Sequence, residues 1–516
     1  MPLDPFPTEI LTTEEMARAD RLTIESGLPG KELMKNAAAA LVSVVTRMLQ
    51  TSSGRRVLVL CGPGNNGGDG YVAARLLRQA RMKLRVGALT PPSNLRGDAL
   101  AAAAAWDGAV EPAEACLLAN ADIVIDALFG TGLARDIEGK AADLIRRLNQ
   151  YRRESGVRVV AVDIPSGIDG SSGAVRGVAV EADATVTFFR LKNGHLLLPG
   201  RLHCGELTCA HIGIRSAVLG EIKPQTFVNA PGLWRNLLPL PRVDGHKYSR
   251  GHAVVVSGGF SFTGAARLAA QAALRTGAGL VTLASPRDAM AANAPALTSV
   301  MLREAEGAEG LAALLSDARK NVVALGPGLG VGEATRRLVE TALEPAPEPD
   351  AKRAIVLDAD ALTSFAGELE TLRRLIAKAP GAVVLTPHAG EFARLFGDAA
   401  NDGPSKLDHA RNAARLSGAI VLFKGPDTVV ASPDGRASIL AAASPWLATA
   451  GSGDTLTGMI AGLLAQGMEP FAAASCGAWM HARAATLFGP GLIADDIAAT
   501  LPAVWRELVG CLEAVL

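Results

Sequence analysis

The stretch VLVLCGPGNNGGDGYVAARLLRQ, residues 57–79, decides the fold of the first half of the chain. An apolar run from Val57 to Cys61 is followed by the glycine-rich segment 62–70 and then by a helical pattern from Tyr71 to Gln79. A strand that ends in a glycine turn and leads into a helix is the opening of a βαβ unit. The glycines allow backbone N–H groups to approach a phosphate at the positive end of the helix, although a tight turn alone would use the same glycines.

Apolar runs of this kind recur along the whole chain, which is typical of parallel sheets covered on both faces. The predicted strands are Val57–Cys61, Leu84–Leu89, Ile123–Asp126, Val157–Asp163 and Thr185–Phe189, then Ala253–Ser257, Leu280–Ala284, Val322–Leu325, Ile355–Asp358, Val383–Thr386 and Ile420–Lys424. Between the two sets, residues 222–250 contain four prolines that interrupt helices and central strands. We therefore predict an α/β protein of two domains, residues 1–220 and residues 221–516.

The bulk composition limits the classes of function. Lys plus Arg and Asp plus Glu number 51 each, so the chain has no net charge to attract a nucleic acid or an anionic membrane. Six scattered cysteines without a CxxC pair favour a reducing compartment over a disulfide framework or a zinc site. Residues 1–15 lack the features of a signal peptide, and no apolar run is suited to spanning a bilayer. We expect a cytoplasmic homo-oligomer that acts on small molecules, without nucleic-acid or membrane partners.

Polar side chains gather at the ends of three predicted strands in the first half. Segment 62–70 contains Asn65, Asn66 and Asp69, while Asp126 and Asp163 end two later strands. Glycine alone can hold a phosphate, whereas carboxamides and a carboxylate indicate a bound cation or a carboxamide-bearing ligand. Each aspartate alone fits a helix or turn cap equally well. Three polar clusters at strand ends that converge on one crevice favour a binding site.

Together these motifs resemble the NAD(P)H-hydrate epimerase domain over residues 10–215. The resemblance rests on Leu11–Met16, Leu33–Ala37, Asn65–Gly70, Asp126–Gly132 and Asp163–Gly167. It implies a Rossmann-like three-layer αβα domain that interconverts the R and S epimers of hydrated NADH and NADPH. Lys35 and Ala38 stand where many relatives have Glu and Gly, which we interpret as packing or surface variation.

The same resemblance implies roles for individual residues. Asp163 is implied as the catalytic acid or base near the hydrated ring, because epimerisation needs proton transfers at a ring that opens or loses water. Potassium is implied to bind through oxygen atoms of Asn66, Asp126 and Ser166. The implied contacts of the hydrated dinucleotide are Asn65, Asn66, Gly67, Gly68, Asp69, Gly130, Thr131, Gly132, Leu133, Ala134, Arg135, Asp136 and Asp163.

In the second half, Gly451-Ser452-Gly453-Asp454 precedes a strongly helical segment, Thr455–Gln466. Backbone N–H groups at such a helix start point at an anion, here next to a carboxylate. A GxGD sequence at this place is typical of ribokinase-like enzymes, in which the Asp deprotonates or orients the attacking hydroxyl. An acidic first turn is favourable in any helix, so this motif alone leaves both interpretations open. The chain has no GxxxxGK[ST] sequence, which excludes the P-loop class.

Further motifs, each just after a predicted strand, decide between these interpretations. They are Ser257–Gly259 with Thr263–Ala265, Gly326–Gly330, Asp358–Leu362, Thr386–Glu391 and Lys424–Thr428. The set resembles the ADP-dependent NAD(P)H-hydrate dehydratase domain over residues 245–515. The resemblance implies a ribokinase-like αβα domain that uses ADP and Mg2+ to dehydrate the S epimer, giving AMP, phosphate and NAD(P)H. The implied substrate contacts are Ala265, Gly328, His388 and the catalytic Asp454, and the implied nucleotide contacts are Lys424, Gly425, Pro426, Asp427, Thr428 and Gly453.

Two other functions share parts of this pattern. A ribokinase-like kinase for a vitamin or sugar would also carry the GxGD site, and the first half would then be a noncatalytic module that binds a nucleotide or a protein. The presence of Asp126, Asp163 and Ser166 in the first half favours a bifunctional metabolite-repair enzyme. The sequence does not determine whether ADP or ATP is the preferred nucleotide, or whether NADH hydrate or NADPH hydrate is the preferred substrate.

Overall fold

The computed structural model describes residues 3–50, 55–116, 118–345, 352–441 and 443–513. The chain divides into two compact units, Pro5–Thr226 and Phe227–Leu516, and the second unit also includes the N-terminal residues up to Asp4. Each unit contains a mainly parallel sheet with helices, so the predicted α/β class is confirmed. Within the described ranges, no helix is long and apolar enough to cross a membrane. The assignment of residues 1–220 and 221–516 to two separate activities stays a prediction.

The first unit contains a seven-stranded parallel sheet. The strands of this unit are β1 (Glu9–Ile10), β2 (Arg56–Cys61), β3 (Lys83–Ala88), β4 (Val110–Pro112), β5 (Ile123–Ala127), β6 (Arg158–Val162), β7 (Ala184–Phe188) and β8 (Glu206–Ala210). Its helices are α1 (Thr13–Glu25), α2 (Gly30–Leu49), α3 (Asn65–Gln79), α4 (Gly97–Ala104), α5 (Gly139–Ser155), α6 (Gly200–His203) and α7 (Leu219–Ile222). The seven strands lie in the order β4-β3-β2-β5-β6-β7-β8, which reverses direction between β2 and β5. Such a reversal opens a crevice at the carboxyl ends of the strands.

Alternate residues of β2 face opposite sides of this sheet. Val57 and Val59 pack in a core shared with α2 and α3, whereas Leu58 and Leu60 pack in a second core shared with α5. Both faces of the strand are therefore covered, which explains why its sequence is continuously apolar. The first unit is a three-layer αβα arrangement, as predicted.

Helix α3 begins at Asn65, six residues before the helical pattern predicted from the sequence. Glycine lowers helix propensity, so the sequence of residues 65–70 is typical of a loop. Close packing overrides this preference, because a Cβ added at Gly70 would lie 2.9 Å from Cys61 Sγ and one added at Gly67 would lie 2.1 Å from the Gly62 carbonyl oxygen. The glycines bring α3 directly onto β2, and Asn65, Asn66 and Asp69 belong to its first turns.

The second unit also has a long, mainly parallel sheet. Its strands are β9 (Thr226–Asn229), β10 (His252–Val256), β11 (Leu280–Ser285), β12 (Met301–Glu304), β13 (Val322–Leu325), β14 (Ala354–Leu357), β15 (Val383–Leu385), β16 (Ile420–Phe423), β17 (Val429–Ala431) and β18 (Ala437–Leu440). Its helices are α8 (Pro231–Trp234), α9 (Gly264–Thr276), α10 (Met290–Asn293), α11 (Gly307–Leu315), α12 (Glu333–Leu343), α13 (Ala359–Thr363), α14 (Leu369–Ile376), α15 (Ala389–Phe396), α16 (Lys406–Ser417), α17 (Ser452–Ala465), α18 (Pro470–Phe488) and α19 (Ala494–Glu513). The strand order is β9-β18-β17-β16-β15-β14-β13-β10-β11-β12.

All strand pairs from β16 to β12 are parallel, and β17 and β18 add antiparallel pairs at the other side. The strand order reverses direction between β10 and β13. Helices α9, α17 and α18 share one core with the strands. The carboxyl ends of β10, β13, β14, β15 and β16 therefore meet at one edge, where the predicted motifs of the second half lie.

The proline-rich segment 222–250 is more structured than predicted. It contains β9 and α8, with Pro231 at the first turn of α8, where a missing N–H group costs nothing. Trp234 is 1 % exposed, its ring lies 5.6 Å from that of Trp479, and its Nε1 donates a hydrogen bond to Asn229 Oδ1 at 3.0 Å. Pro231 begins α8 and the other three prolines lie outside both elements, so the prolines keep these elements short but do not prevent them.

Candidate active sites

A cavity of about 710 Å³ opens at the carboxyl ends of β2, β5 and β6 in the first unit. The predicted substrate residues that line it are Asn65, Asn66, Asp69, Gly130, Thr131, Gly132, Leu133, Ala134, Arg135 and Asp163. Gly67 and Gly68 are buried residues of α3 that do not line the cavity, and neither does the exposed Asp136. The structure thus gathers most of the predicted set around one cavity, while the role of each residue stays a prediction.

Asp163 lies at the floor of this cavity with a strained backbone, since its φ of 61° is in the left-handed region. Its Oδ1 accepts hydrogen bonds from Lys192 Nζ at 2.6 Å and from Thr187 Oγ1 at 2.9 Å. Burial raises the pKa of the Asp163 carboxyl, but the charge and hydrogen bond of Lys192, with smaller contributions from His195 and Thr187, together hold the pKa below its usual value. Asp163 is therefore an ionised carboxylate at neutral pH, ready to accept a proton.

Lys192 and His195 hold this carboxylate in place. Lys192 is 1 % exposed, and its backbone N–H donates to His195 Nδ1 at 3.0 Å. Because Nδ1 accepts this bond, the proton of the neutral ring is on Nε2, which lies 2.8 Å from the Asp163 carbonyl oxygen. Burial, reinforced by Lys192, lowers the pKa of His195 to about 4, so the ring stays neutral. His195 thus bonds to the backbone of both members of the ion pair.

The sequence analysis missed Lys192 and His195. One signal was available, because both residues stand among the four leucines of segment 190–198, which follows a predicted strand. A lysine buried among apolar residues needs a carboxylate partner, and the position of that carboxylate indicates where the site lies.

Two further carboxyl groups, Asp20 on α1 and Asp69 on α3, line the same cavity. Burial raises the pKa of Asp20 to about 6, and the like charge of Asp163 adds to this increase. Burial, together with Asp163 and Asp20, raises the pKa of Asp69 well above its usual value. Asp20 was also missed by the sequence analysis, because the residues that share the cavity with it, such as Asp163 and Lys192, lie far away in the chain.

The three predicted potassium ligands lie beside the cavity. Ser166 Oγ donates to Asp126 Oδ1 at 2.6 Å, and Ser166 N donates to Asp126 Oδ2 at 2.8 Å. Asp126 is fully buried, and burial raises its pKa to about 6 despite the hydrogen bonds from Ser166. A Cβ added at Gly130 would lie 3.2 Å from Asn66 Oδ1, so Asn66 reaches the same β5 loop. Of the three, only Asn66 lines the cavity.

In the second unit, Lys424 is the centre of a buried charged cluster at the sheet edge. Its Nζ donates to Asp358 Oδ1 at 2.7 Å and lies 3.8 Å from Glu391 Oε2. Thr457 Oγ1 on α17 donates to Asp358 Oδ2 at 2.7 Å. Burial alone would lower the pKa of Lys424, but the Asp358 and Glu391 carboxylates raise it above the usual value. Lys424 therefore remains an ammonium group, held between two carboxylates.

Helix α17 begins beside this cluster at Ser452, three residues before the start predicted from the sequence. A Cβ added at Gly453 would lie 3.4 Å from Lys424 Nζ, so the first turn of the helix is next to the ammonium group. Asp454, in the first turn, has its pKa raised to about 6 by burial and by the like charge of Asp358. The helix start therefore places an ammonium group and a carboxyl group with an elevated pKa next to one another.

The loop that follows β16 is closed by its own side chains. Thr428 Oγ1 donates to the Gly425 carbonyl oxygen at 2.7 Å, and Asp427 Oδ1 accepts from Lys406 Nζ at 2.8 Å. Asp427 and Thr428 are buried, so they shape the loop from inside. We infer that Gly425 and Pro426 offer mainly backbone to the predicted nucleotide.

His388 caps helix α15. Its Nδ1 accepts from Gly390 N at 2.9 Å and its Nε2 lies 3.1 Å from Glu391 Oε1. The imidazole is about half exposed, so it can also contact a ligand. Ala265 and Gly328 lie together, since a Cβ added at Gly328 would be 3.7 Å from Ala265 Cβ.

These geometries define a two-unit α/β protein with a carboxyl-lined cavity in one unit and a charged cluster at the sheet edge of the other. Residues 253–501 match the family described as NAD(P)H-hydrate dehydratase, and residues 30–194 match the YjeF-related protein N-terminus family. The chain is 37 % identical to the bifunctional NAD(P)H-hydrate repair enzyme Nnr of Moorella thermoacetica, with 98 % of each chain covered. It is 35 % identical to the enzyme of the same name from Thermofilum pendens, with the same coverage.

The chain belongs to the family of bifunctional NAD(P)H-hydrate repair enzymes. The family predicted from the sequence motifs is confirmed, and a small-molecule kinase fused to a noncatalytic module is not favoured. A solved structure of the ADP/ATP-dependent NAD(P)H-hydrate dehydratase from Bacillus subtilis, co-crystallised with ATP and Mg2+, is 30 % identical. That match covers 53 % of this chain and 95 % of the other, with a TM-score of 0.45.

Proposed function

We propose that the first unit interconverts the R and S epimers of hydrated NADH and NADPH, and that the second unit dehydrates the S epimer at the expense of ADP. The products of the second reaction are AMP, phosphate and NAD(P)H. The observation that carries this proposal is that each unit has an aspartate with a shifted pKa at the edge of its own sheet. The pKa of Asp163 is lowered in the first unit, and the pKa of Asp454 is raised to about 6 in the second.

In the first unit, Asp163 is the proposed acid–base residue for the hydroxyl-bearing ring carbon. Its ionised state suits the removal of a proton from the 6-hydroxyl group. Lys192 and Thr187 bind the carboxylate oxygen and fix its direction. The cavity-lining residues Asn65, Asn66 and Asp69, together with residues 130–135, would hold the rest of the dinucleotide.

Potassium fits the proposed ligands Asn66, Asp126 and Ser166, because an amide, a carboxylate and a hydroxyl offer only oxygen atoms to the ion. The hydrogen bonds between Ser166 and Asp126 hold two of these donors together at the β5 loop. A bound ion would neutralise Asp126 and stiffen the loop that lines the cavity. Its expected effect is on substrate binding, through the position of residues 130–135.

In the second unit, Asp454 is the proposed base for the same hydroxyl group. As the terminal phosphoryl group of ADP passes to this oxygen, the hydroxyl proton passes to Asp454 and AMP departs. The new phosphate ester then leaves the ring carbon with help from the ring nitrogen, and loss of a proton from the neighbouring carbon gives NAD(P)H. Lys424 and the N–H groups at the start of α17 would stabilise the charge of the transferring group.

Mg2+ is proposed to arrive with the nucleotide, since Mg2+ is usually held by one or two carboxylates and by substrate phosphates. The candidate carboxylates are Glu391, whose Oε2 lies 3.8 Å from Lys424 Nζ, and Asp454, whose charge also acts on Lys424. The ion would neutralise charge on the phosphates during transfer. Among the residues that the structure describes, no cluster of three or more His, Cys, Asp or Glu side chains forms a metal site by itself.

The experiment that tests this function uses the full chain and a mixture of the two hydrate epimers. With ADP and Mg2+, the absorbance of the reduced nicotinamide should return completely, and chromatography should show AMP. Repeating the assay with ATP determines the preferred nucleotide, and replacing K+ tests the proposed ion. A stable phosphorylated product would contradict the proposal in favour of a kinase. We also propose a cytoplasmic homo-oligomer, which fractionation and light scattering would test.

A further inference from the structure

The cavity of the first unit contains more carboxyl groups than its cations can neutralise. Asp20, Asp69 and Asp163 face the interior together with Lys192, while the exposed Asp98 and Arg135 stand at its rim. Lys192 bonds directly to Asp163. Within the described ranges, Asp20 and Asp69 form no ion pair or side-chain hydrogen bond. Three interior carboxyl groups thus share one ammonium group.

We propose that the Asp69 carboxyl group is the catalytic acid of epimerisation and works opposite Asp163 as the base. This inference rests on the proposed epimerase function of the first unit. Asp69 projects from the early turns of α3, whose tight glycine packing on β2 fixes its position in the cavity wall.

The different charged neighbours of Asp163 and Asp69 explain why one would act as the base and the other as the acid. Asp163 is stabilised as an anion by Lys192, whereas burial and the charges of Asp163 and Asp20 favour the protonated form of Asp69. Asp20 is intermediate, because Lys192 partly offsets its burial. Two carboxyl groups whose environments drive their pKa values apart are the arrangement expected of an acid and a base in one site.

The proton transfers balance without any added reactant. Asp163 takes the proton of the 6-hydroxyl group, the bond between this carbon and the ring nitrogen breaks to leave an aldehyde, and Asp69 gives its proton to the nitrogen. Rotation of the aldehyde presents its other face. In the reverse steps the nitrogen returns its proton to Asp69, the carbon–nitrogen bond forms again, and Asp163 protonates the new hydroxyl. Both carboxyl groups end as they began.

The test measures interconversion of the separated R and S epimers by the full chain without ADP. Asp69→Asn replaces a neutral acid by a neutral amide of the same size, so the fold and KM should be retained. The kcat should fall by ~100- to 10,000-fold, which is the usual contribution of an acid–base group. The matched control is Asp107→Asn, which alters an exposed carboxylate paired with Arg78 and should leave kcat unchanged.

A pH profile provides a second readout that does not depend on the Asn variant folding. Wild-type kcat should decline on the alkaline side as Asp69 loses its proton. Asp20→Asn removes a like charge, which should lower the pKa of Asp69 and move this decline to lower pH. If Asp69→Asn keeps kcat and raises only KM, or if wild-type kcat has no alkaline decline, the proposal is overturned. A wild-type enzyme that does not interconvert the epimers would instead refute the proposed epimerase function.

Discussion

Both units contain a buried lysine bonded to an aspartate, but the two pairs involve different aspartates. In the first unit, Lys192 binds Asp163, the proposed acid–base residue, at 2.6 Å. In the second unit, Lys424 binds Asp358 at 2.7 Å and leaves Asp454, the proposed base, without that direct bond. The pKa of Asp163 is accordingly held low, whereas the pKa of Asp454 rises to about 6. The two aspartates therefore lose their protons in different pH ranges.

The difference matches what each reaction requires. An ion pair that fixes a permanently charged base also lowers its proton affinity, which suits a site with a separate acid. At the proposed phosphoryl-transfer site, Lys424 would bind the phosphates, and its direct bond is to Asp358 rather than to Asp454. A base whose pKa lies close to the working pH combines sufficient ionisation with sufficient proton affinity.

The largest expected effect is that of Asp454→Asn on dehydration. Loss of the proposed base should lower the rate by ~100- to 10,000-fold, while binding of the hydrate largely survives. Epimerisation by the same variant should be unchanged, because its proposed residues belong to the other unit. Asp495→Asn, an exposed carboxylate on α19, is the control and should keep full activity. Wild-type dehydration by Asp454→Asn would refute the assignment.

The strands that contain Asp126 or lead into Asp163 could be predicted from the sequence, because apolar runs that end in Gly or Asp mark the carboxyl ends of parallel strands. Ile123–Asp126 and Val322–Leu325 are within one residue of β5 and β13. The start of α3 was not predictable in this way, because the packing of Gly67 and Gly70 that permits a helix depends on β2. Helix propensity depends on neighbouring residues in the sequence, whereas this packing depends on residues that are distant in the sequence.

The partners of the catalytic groups were harder to predict than the groups themselves. Lys192 is 29 residues from Asp163 in the sequence, and the two meet only because β6 and β7 are adjacent in the sheet. Asp20 reaches the cavity from a helix before the first strand of that sheet. Sequence motifs predicted which residues lie at strand ends. Predicting which charged residues neutralise one another in the site would also have required the order of the strands.

Lys192→Met should have the next largest effect, on epimerisation. Without the ammonium group, burial would dominate and the pKa of Asp163 would rise, so less of the base is ionised at neutral pH. Each unit of increase that carries the pKa above the assay pH costs roughly tenfold in rate, and raising the pH should restore part of it. Breaking a buried ion pair also costs ~3–5 kcal/mol of stability, which thermal unfolding would show.

The control for this variant is Lys140→Met, which removes a largely exposed lysine paired with Glu114. It should change neither the epimerisation rate nor its pH dependence. If Lys192→Met lowers the rate equally at every pH, Lys192 acts by supporting the fold rather than by setting the ionisation of Asp163.

A smaller effect should separate the two wild-type activities by pH. Dehydration needs ionised Asp454, whose pKa is about 6, so its rate should fall roughly tenfold per pH unit below that value. Asp163 has a lowered pKa and stays ionised there, so epimerisation should persist through the same range. Measuring both rates on one preparation between neutral pH and pH ~5 tests this directly. Parallel loss of the two activities would show that one shared process, such as unfolding, controls both.

The smallest expected effect concerns Asp169, which follows Asp163 in the same strand-end loop. Its Oδ2 accepts from Arg176 Nη2 at 2.6 Å, and its Oδ1 accepts from the backbone N–H groups of Ser171 and Ser172 at 2.9 Å. This geometry is that of a turn cap, and Asp169 does not line the cavity. Asp169→Asn keeps an oxygen for the backbone bonds and loses a partly exposed ion pair, so stability should fall by at most ~1 kcal/mol. The epimerisation kcat and KM should be unchanged, because neither the ion pair of Asp163 nor the cavity wall is altered. If Asp169→Asn loses kcat tenfold without losing stability, both Asp163 and Asp169 act in the reaction. The distinction between Asp163 as a base and Asp169 as a turn cap would then be wrong.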